Sequence, residues 1–178
     1  MSKYIAFLRG INVGGHKSVK MEELRKAFES MRFKNVKTLL ASGNVLFQAP
    51  QANTNTLSKK IEEKLKKTFG HEINVIIRTI EELQHLFEAN PFKGVKVTPQ
   101  TRLYITFLSE KAKSDLQVPF ESSDKNFKII RVTESEICSV LTLSPTKNTI
   151  DLMNILEKEY GKKVTTRNWN TIIKLLQN

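Results

Sequence analysis

Five consecutive apolar residues near the start of the chain, Tyr4-Ile5-Ala6-Phe7-Leu8, constrain the fold more than any other feature. On an extended strand Tyr4, Ala6 and Leu8 face one side while Ile5 and Phe7 face the other. A strand apolar on both faces belongs at the centre of a sheet that is covered on both sides. The run is shorter than the roughly 7–15 apolar residues of a signal-peptide core. No stretch approaches the roughly 18–20 apolar residues that cross a bilayer. The expectation is therefore an intracellular, cytoplasmic chain with no membrane partner.

Downstream of that strand the pattern alternates regularly. A glycine-rich loop, Arg9–Lys17, leads into a helix from about residues 18–21 to Arg32, with Met21, Leu24, Phe28 and Met31 on one stripe. Val36–Leu40 and Val45–Gln48 read as strands joined at Ala41-Ser42-Gly43-Asn44, whose residues tolerate positive φ. Asn53–Phe69 is an amphipathic helix with Leu57, Ile61 and Leu65 inward and Gly70 as its stop. Ile73–Arg78 is the next strand. Residues 1–78 thus spell β-α-β-β-α-β, the ferredoxin-like order, and form the first subdomain.

Residues 79–178 form the second. Thr79 and Glu82 make a capping box for a short helix ending near Asn90-Pro91. Arg102–Leu108 reads as a strand, Ser109–Gln117 as a short helix, Phe127–Val132 and Ile137–Leu143 as strands, and Asn148–Tyr160 as a helix. This β-α-β-β-α order makes the second half topologically related to the first, without residue-level similarity. A C-terminal helix opening at Thr166 carries Trp169, Ile172, Ile173 and Leu176 on one stripe, which must dock back, with the first sheet one place for it. The fold class is α+β.

The formal net charge is +11, with more than half of the excess in residues 1–50, where nine Lys and Arg face three Glu. Such a surface attracts polyanions and phosphorylated metabolites. Yet 22 of the 29 cations are Lys, which often serve as solubilising charge, whereas bidentate phosphate recognition favours Arg. Cys138 is the one cysteine, so an internal disulfide is excluded, and its strand-like surroundings suggest a small buried hydrophobe. His16, His71 and His85 lack metal-ligand spacing, and no metal is expected. The paired glutamates at 22–23, 62–63 and 81–82 diverge by about 100° on their helices and cannot converge on a substrate. Asp115, Asp124 and Asp151 give no acid–base pair either, Asp151 falling early in a helix. Whether the chain is an enzyme is left open.

Three segments carry a family resemblance: Tyr4–Gly15 (YIAFLRGINVGG), Ala41–Phe47 (ASGNVLF) and Thr165–Leu175 (TTRNWNTIIKL). Their order and spacing resemble the DUF1697 family of bacterial proteins along essentially the whole chain. The resemblance implies a two-subdomain α+β fold with ferredoxin-like elements and no assigned reaction. Members often carry a basic, Ser/Lys-containing segment before the penultimate helix. Here residues 144–149 read SPTKNT with a single Lys, which weakens a phosphate role at that place.

Two segments are candidate ligand contacts. In the loop after the first strand, Gly10, Gly14 and Gly15 would let backbone N–H groups approach a ligand beside Arg9, Asn12 and Lys17. The glycines match neither a dinucleotide fingerprint nor a P-loop, and a tight corner is the alternative explanation. In the second segment, Thr166, Arg167, Asn168, Trp169 and Asn170 combine a helix start, a guanidinium and an aromatic ring. Core packing of Trp169, with the polar residues pinning the helix, is the alternative there. Ser42 and Asn44 are secondary candidates. The ferredoxin-like order is expected to put their hairpin at the opposite end of the sheet from the glycine loop. No G-x-S-x-G elbow surrounds Ser42.

Together these features suggest a cytosolic binding protein for a phosphate-bearing small ligand such as a nucleotide, with no cofactor identified. An RNA- or DNA-associated protein is the second reading. Tyr4, Phe7 and Phe47 are its aromatics, although no RNP1 run accompanies them. A scaffold with no ligand is the third.

Overall fold

The computed structural model describes every residue except His16, Ala112 and Asp115. It divides into two compact units, Met1–Gln84 and His85–Asn178.

The first unit contains β1 (Ser2–Leu8), α1 (Met21–Ser30), β2 (Lys34–Leu39), β3 (Asn44–Ala49), α2 (Thr54–Phe69) and β4 (Val75–Thr79). Its four-stranded antiparallel sheet has the order β2-β3-β1-β4. The doubly apolar strand is therefore central, and Tyr4 through Leu8 are all buried. Tyr4, Ala6 and Leu8 join Val45, Phe47, Val75 and Ile77 in a core closed by Leu24 and Phe28 of α1 and by Leu57, Ile61 and Leu65 of α2. Phe47 lies at the centre of an aromatic group, 4.7 Å from Phe33, 5.4 Å from Phe28 and 5.5 Å from Tyr4 between ring centroids. Tyr4, Phe7 and Phe47 are thus all inside, and none presents a face to an unstacked base.

Local signals set the helix ends. The Asn53 carboxamide accepts from the Asn55 and Thr56 amides at the start of α2, and Gly70 ends that helix at φ 78°. At α3 (Ile80–Glu88) the Thr79 amide donates to Glu82 at 2.7 Å, and the Glu82 amide donates to the Thr79 hydroxyl at 3.1 Å.

The second unit contains β5 (Thr101–Leu108), β6 (Phe120–Glu121), β7 (Phe127–Val132), β8 (Glu136–Thr142), α4 (Thr149–Tyr160), β9 (Val164–Asn168) and α5 (Trp169–Leu176). Its sheet has the order β6-β7-β8-β5-β9. Apart from the added edge strand β6, this repeats the first sheet: β5 lies between β8 and β9 as β1 lies between β3 and β4. The topological relation between the halves holds, but the expectation of no residue-level similarity does not. Tyr104-Ile105-Thr106-Phe107-Leu108 matches Tyr4-Ile5-Ala6-Phe7-Leu8 at four of five positions, on the equivalent central strand.

Two further expectations are corrected. None of the described residues between 109 and 117 is helical. The only apolar residues there are Ala112 and Leu116, too few for a face worth burying. The Ser114 hydroxyl also accepts from the Leu116 amide at 3.1 Å, a local bond that competes with helical pairing. The expected helix start at Thr166 is instead a strand: Val164–Asn168 pairs antiparallel with β5 from Leu108 to Tyr104. The β-branched run Val164-Thr165-Thr166 favours that conformation, and the helix begins only at Trp169.

Two of the four sheet edges are poorly suited to pairing with another chain. The edge strand β2 has a register irregularity between Lys34 and Lys37, and β6 is two residues long and follows Pro119.

Candidate functional site

In the first sheet β3 is antiparallel to both β1 and β2, so β1 and β2 run parallel. The loop leaving β1 and the turn leaving β2 consequently emerge at the same end of the sheet. The expectation that they sit at opposite ends is overturned by strand direction, and their contacts are direct. The Leu8 amide donates to the Gly43 carbonyl at 2.9 Å. The Asn12 side-chain amide donates to the Ala41 carbonyl at 2.9 Å and to the Val19 carbonyl at 3.0 Å, while its oxygen accepts from the Val19 amide at 2.8 Å. Asn12, at φ 56°, therefore closes its own loop and fastens it to the hairpin.

A third segment reaches the same place from the turn before β4. The Arg9 amide donates to the Asn74 carbonyl at 2.9 Å, and Lys17 Nζ donates to the Glu72 carbonyl at 3.2 Å. Arg9 is half-buried, while Gly10, Gly14, Gly15 and Lys17 are exposed. A Cβ at Gly10 or Gly15 would meet nothing within 4 Å, so these glycines serve their positive φ of 64° and 75° and leave open space above the backbone. Gly43 differs. A Cβ there would lie 2.6 Å from Ile11 Cδ1 and 2.9 Å from Leu8 Cβ, so the hairpin approaches β1 as closely as a bare backbone permits. Asn44 is fully buried, its amide donating to the Leu39 carbonyl at 2.8 Å and to the Ser42 hydroxyl at 3.1 Å. Arg9, Asn12, Lys17, Ser42 and Asn44 are thus brought to one end of one sheet.

The second unit assembles its own group from β9 and α5. Arg167 is buried in the strand, where Nη1 donates to the Thr165 hydroxyl at 2.8 Å and to the Thr166 carbonyl at 2.9 Å. Burial pulls its guanidinium down to about 10 from an ordinary 12.5. The Thr166 hydroxyl lies 2.8 Å from that of Thr106. Asn168, not Thr166, caps α5, its carboxamide oxygen accepting from the Asn170 amide at 2.9 Å. Trp169 is buried, stacked near Phe87 at 6.1 Å and edge-on to Phe92 at 5.4 Å. These contacts give the Trp169 ring packing partners and leave Asn170 exposed.

Sequence reasoning missed the counterpart of Arg167. Arg78 occupies the same place on β4, one residue before the cap of α3, with Nη1 donating to the Ile77 carbonyl at 2.9 Å. Arg78 pairs across from Ile5 as Arg167 does from Ile105. The matched pentapeptides were the signal available in the sequence.

Among the described residues, no group of three or more His, Cys, Asp or Glu is placed to hold a metal ion, and no helix is long and apolar enough to cross a membrane. Cys138 is fully buried, and desolvation pushes its thiol up to about 12.

The profile of the family described as "Protein of unknown function (DUF1697)" matches residues 1–137. The chain belongs to the DUF1697 family. No curated protein matches this DUF1697 chain. Among solved structures it is similar to the conserved bacterial protein SP0830 from Streptococcus pneumoniae, at 18% identity and a TM-score of 0.67. That similarity covers 99% of this chain and 97% of the other, and it shows a shared fold.

Proposed function

We propose that this protein binds a small phosphate-bearing molecule of the nucleotide class at the loop end of the first sheet. Arg9 and Lys17 supply positive charge, and Gly10, Gly14 and Gly15 supply backbone that a ligand can approach closely. The observation that carries the reading is the Asn12 brace, which ties the exposed, glycine-rich segment to the Ala41 carbonyl and to Val19. A loop fixed beforehand loses less conformational entropy when a ligand arrives. Ser42, already within reach of Asn44, adds a hydroxyl beside the loop. The Thr166–Asn170 group has less to offer, because Arg167 and Trp169 are buried.

Calorimetric titration of nucleoside monophosphates and triphosphates into the wild type, Arg9→Ala and Lys17→Ala tests the proposal. Each variant should bind about tenfold more weakly, the effect of losing one charge-assisted hydrogen bond of about 1.5 kcal/mol. Undiminished affinity in both variants would sink it.

Nucleic-acid association is the second reading, favoured by the net charge of +11 and by Lys34 and Lys37 on the open edge strand. It predicts oligonucleotide binding whose affinity falls steeply with salt. A nucleotide held in a fixed loop depends on salt far less.

A further inference from the structure

The internal repeat directs attention to the second unit's counterpart of the glycine loop. Leu8 ends the central strand of the first sheet paired with Val75, and Leu108 ends that of the second paired with Val164. The next amide is tied in the same way in each: Arg9 to the Asn74 carbonyl at 2.9 Å, and Ser109 to the Lys163 carbonyl at 3.3 Å. The Ser109 hydroxyl adds a second bond to that carbonyl at 2.9 Å. Beyond this stitch the second unit has a cleft of about 280 Å³.

Its lining has a definite chemistry. Leu108 and Val164, both buried, and the half-buried Tyr160 line it. Lys111, Lys113, Lys162 and Lys163 surround it, and Glu110 is the one carboxylate among the described lining residues. Lys163 lies 3.5 Å from Glu110, and Lys111 lies 2.7 Å from Glu134, but all four side chains are some 70% exposed or more. Exposed pairs of this kind are weak and exchange readily for a better partner. Lys113 and Lys162 face no carboxylate in an ion pair among the described residues. Burial raises the Tyr160 phenol above its ordinary value, so it stays protonated and able to donate a hydrogen bond. The cleft is near the lower end of the roughly 300–1,000 Å³ range of small-molecule sites, which limits its occupant to a compact molecule.

We propose that this cleft is a second, independent anion site that takes a small phosphomonoester, its phosphate held by Lys113 and Lys162 and its organic part set against Tyr160. Glu110, in the same lining, would disfavour a ligand that carries negative charge over its whole length. The site does not depend on the nucleotide reading of the first unit, since it shares no residue with it.

The test is titration of the full-length protein with glucose 6-phosphate and with inorganic phosphate, followed by NMR and calorimetry. The wild type, Lys113→Ala/Lys162→Ala, Tyr160→Phe and Arg9→Ala are compared, with circular dichroism confirming that each is folded. Saturable phosphomonoester binding, weakened tenfold or more in the double-lysine variant and unchanged in Arg9→Ala, supports the site. A smaller loss in Tyr160→Phe, without a change in the circular dichroism spectrum, assigns the phenol its donor role. Absence of saturable binding overturns the proposal, as does affinity unaffected by the double-lysine change. Loss in Arg9→Ala alone would overturn it too, and would assign the ligand to the first unit instead.

Discussion

Replacing Gly43 by alanine tests the joint between the glycine loop and the hairpin. Two separate effects act at that position. At φ 81° an L-residue incurs about 1–2 kcal/mol of backbone strain. The new Cβ would also fall 2.6 Å from Ile11 Cδ1 and 2.9 Å from Leu8 Cβ. The Ile11 methyl can rotate away. The Leu8 Cβ cannot, because Leu8 belongs to the central strand and its amide is bonded to the Gly43 carbonyl itself. Overpacking of this kind costs about 1–3 kcal/mol, so Gly43→Ala should lose about 2–5 kcal/mol in all. At about 2–4 °C per kcal/mol for a chain of this length, Tm should drop by roughly 4–20 °C. Gly10→Ala is the control: its φ is 64°, yet a Cβ there meets nothing within 4 Å, so only the strain should appear. Urea denaturation and thermal melts of both variants provide the comparison. An Ile11→Val background, which lacks Cδ1, should recover part of the Gly43→Ala loss but not all of it. Equal destabilisation by Gly43→Ala and Gly10→Ala would refute the close-approach argument and leave backbone strain as the whole effect.

Two buried groups in the second unit carry the remaining predictions. Cys138 should resist thiol reagents in the folded protein and react fully in denaturant. Because its folded value of about 12 lies above the ordinary 9.0, the stability it contributes should be intact below pH 9 and decline as pH rises toward 12, as read from urea midpoints. Trp169→Ala should destabilise the protein by about 3–5 kcal/mol in urea titrations. As the one tryptophan, Trp169 should show blue-shifted fluorescence that nucleotides leave unchanged, whereas quenching by a nucleotide would revive the idea that the ring stacks on a base.

The sequence by itself determined the local punctuation of this chain and the place of its first strand. Asn53, Gly70, the Thr79–Glu82 box and Asn148 act through hydrogen bonds that span a few residues, so the residue types alone specify the helix ends. Two apolar faces on Tyr4–Leu8 were enough to require a central strand, since no edge strand could hide both. The short helix expected at 109–117 and the strand Val164–Asn168 show where that reasoning weakens. At 109–117 too few apolar residues leave a helix no face to bury, and at Val164–Asn168 pairing with β5, distant in the chain, draws an expected helix start into a strand. Only the tertiary structure decided which loops meet. Arg9, Asn12, Ser42 and Asn44 share one end of the sheet because β3 inserts antiparallel between β1 and β2, and no local pattern encodes that strand order. Tertiary pairing likewise sets Arg78 across from Ile5 and Arg167 across from Ile105. Along the sequence these are two unremarkable arginines, and paired in the two sheets they are equivalent buried groups of a duplicated fold.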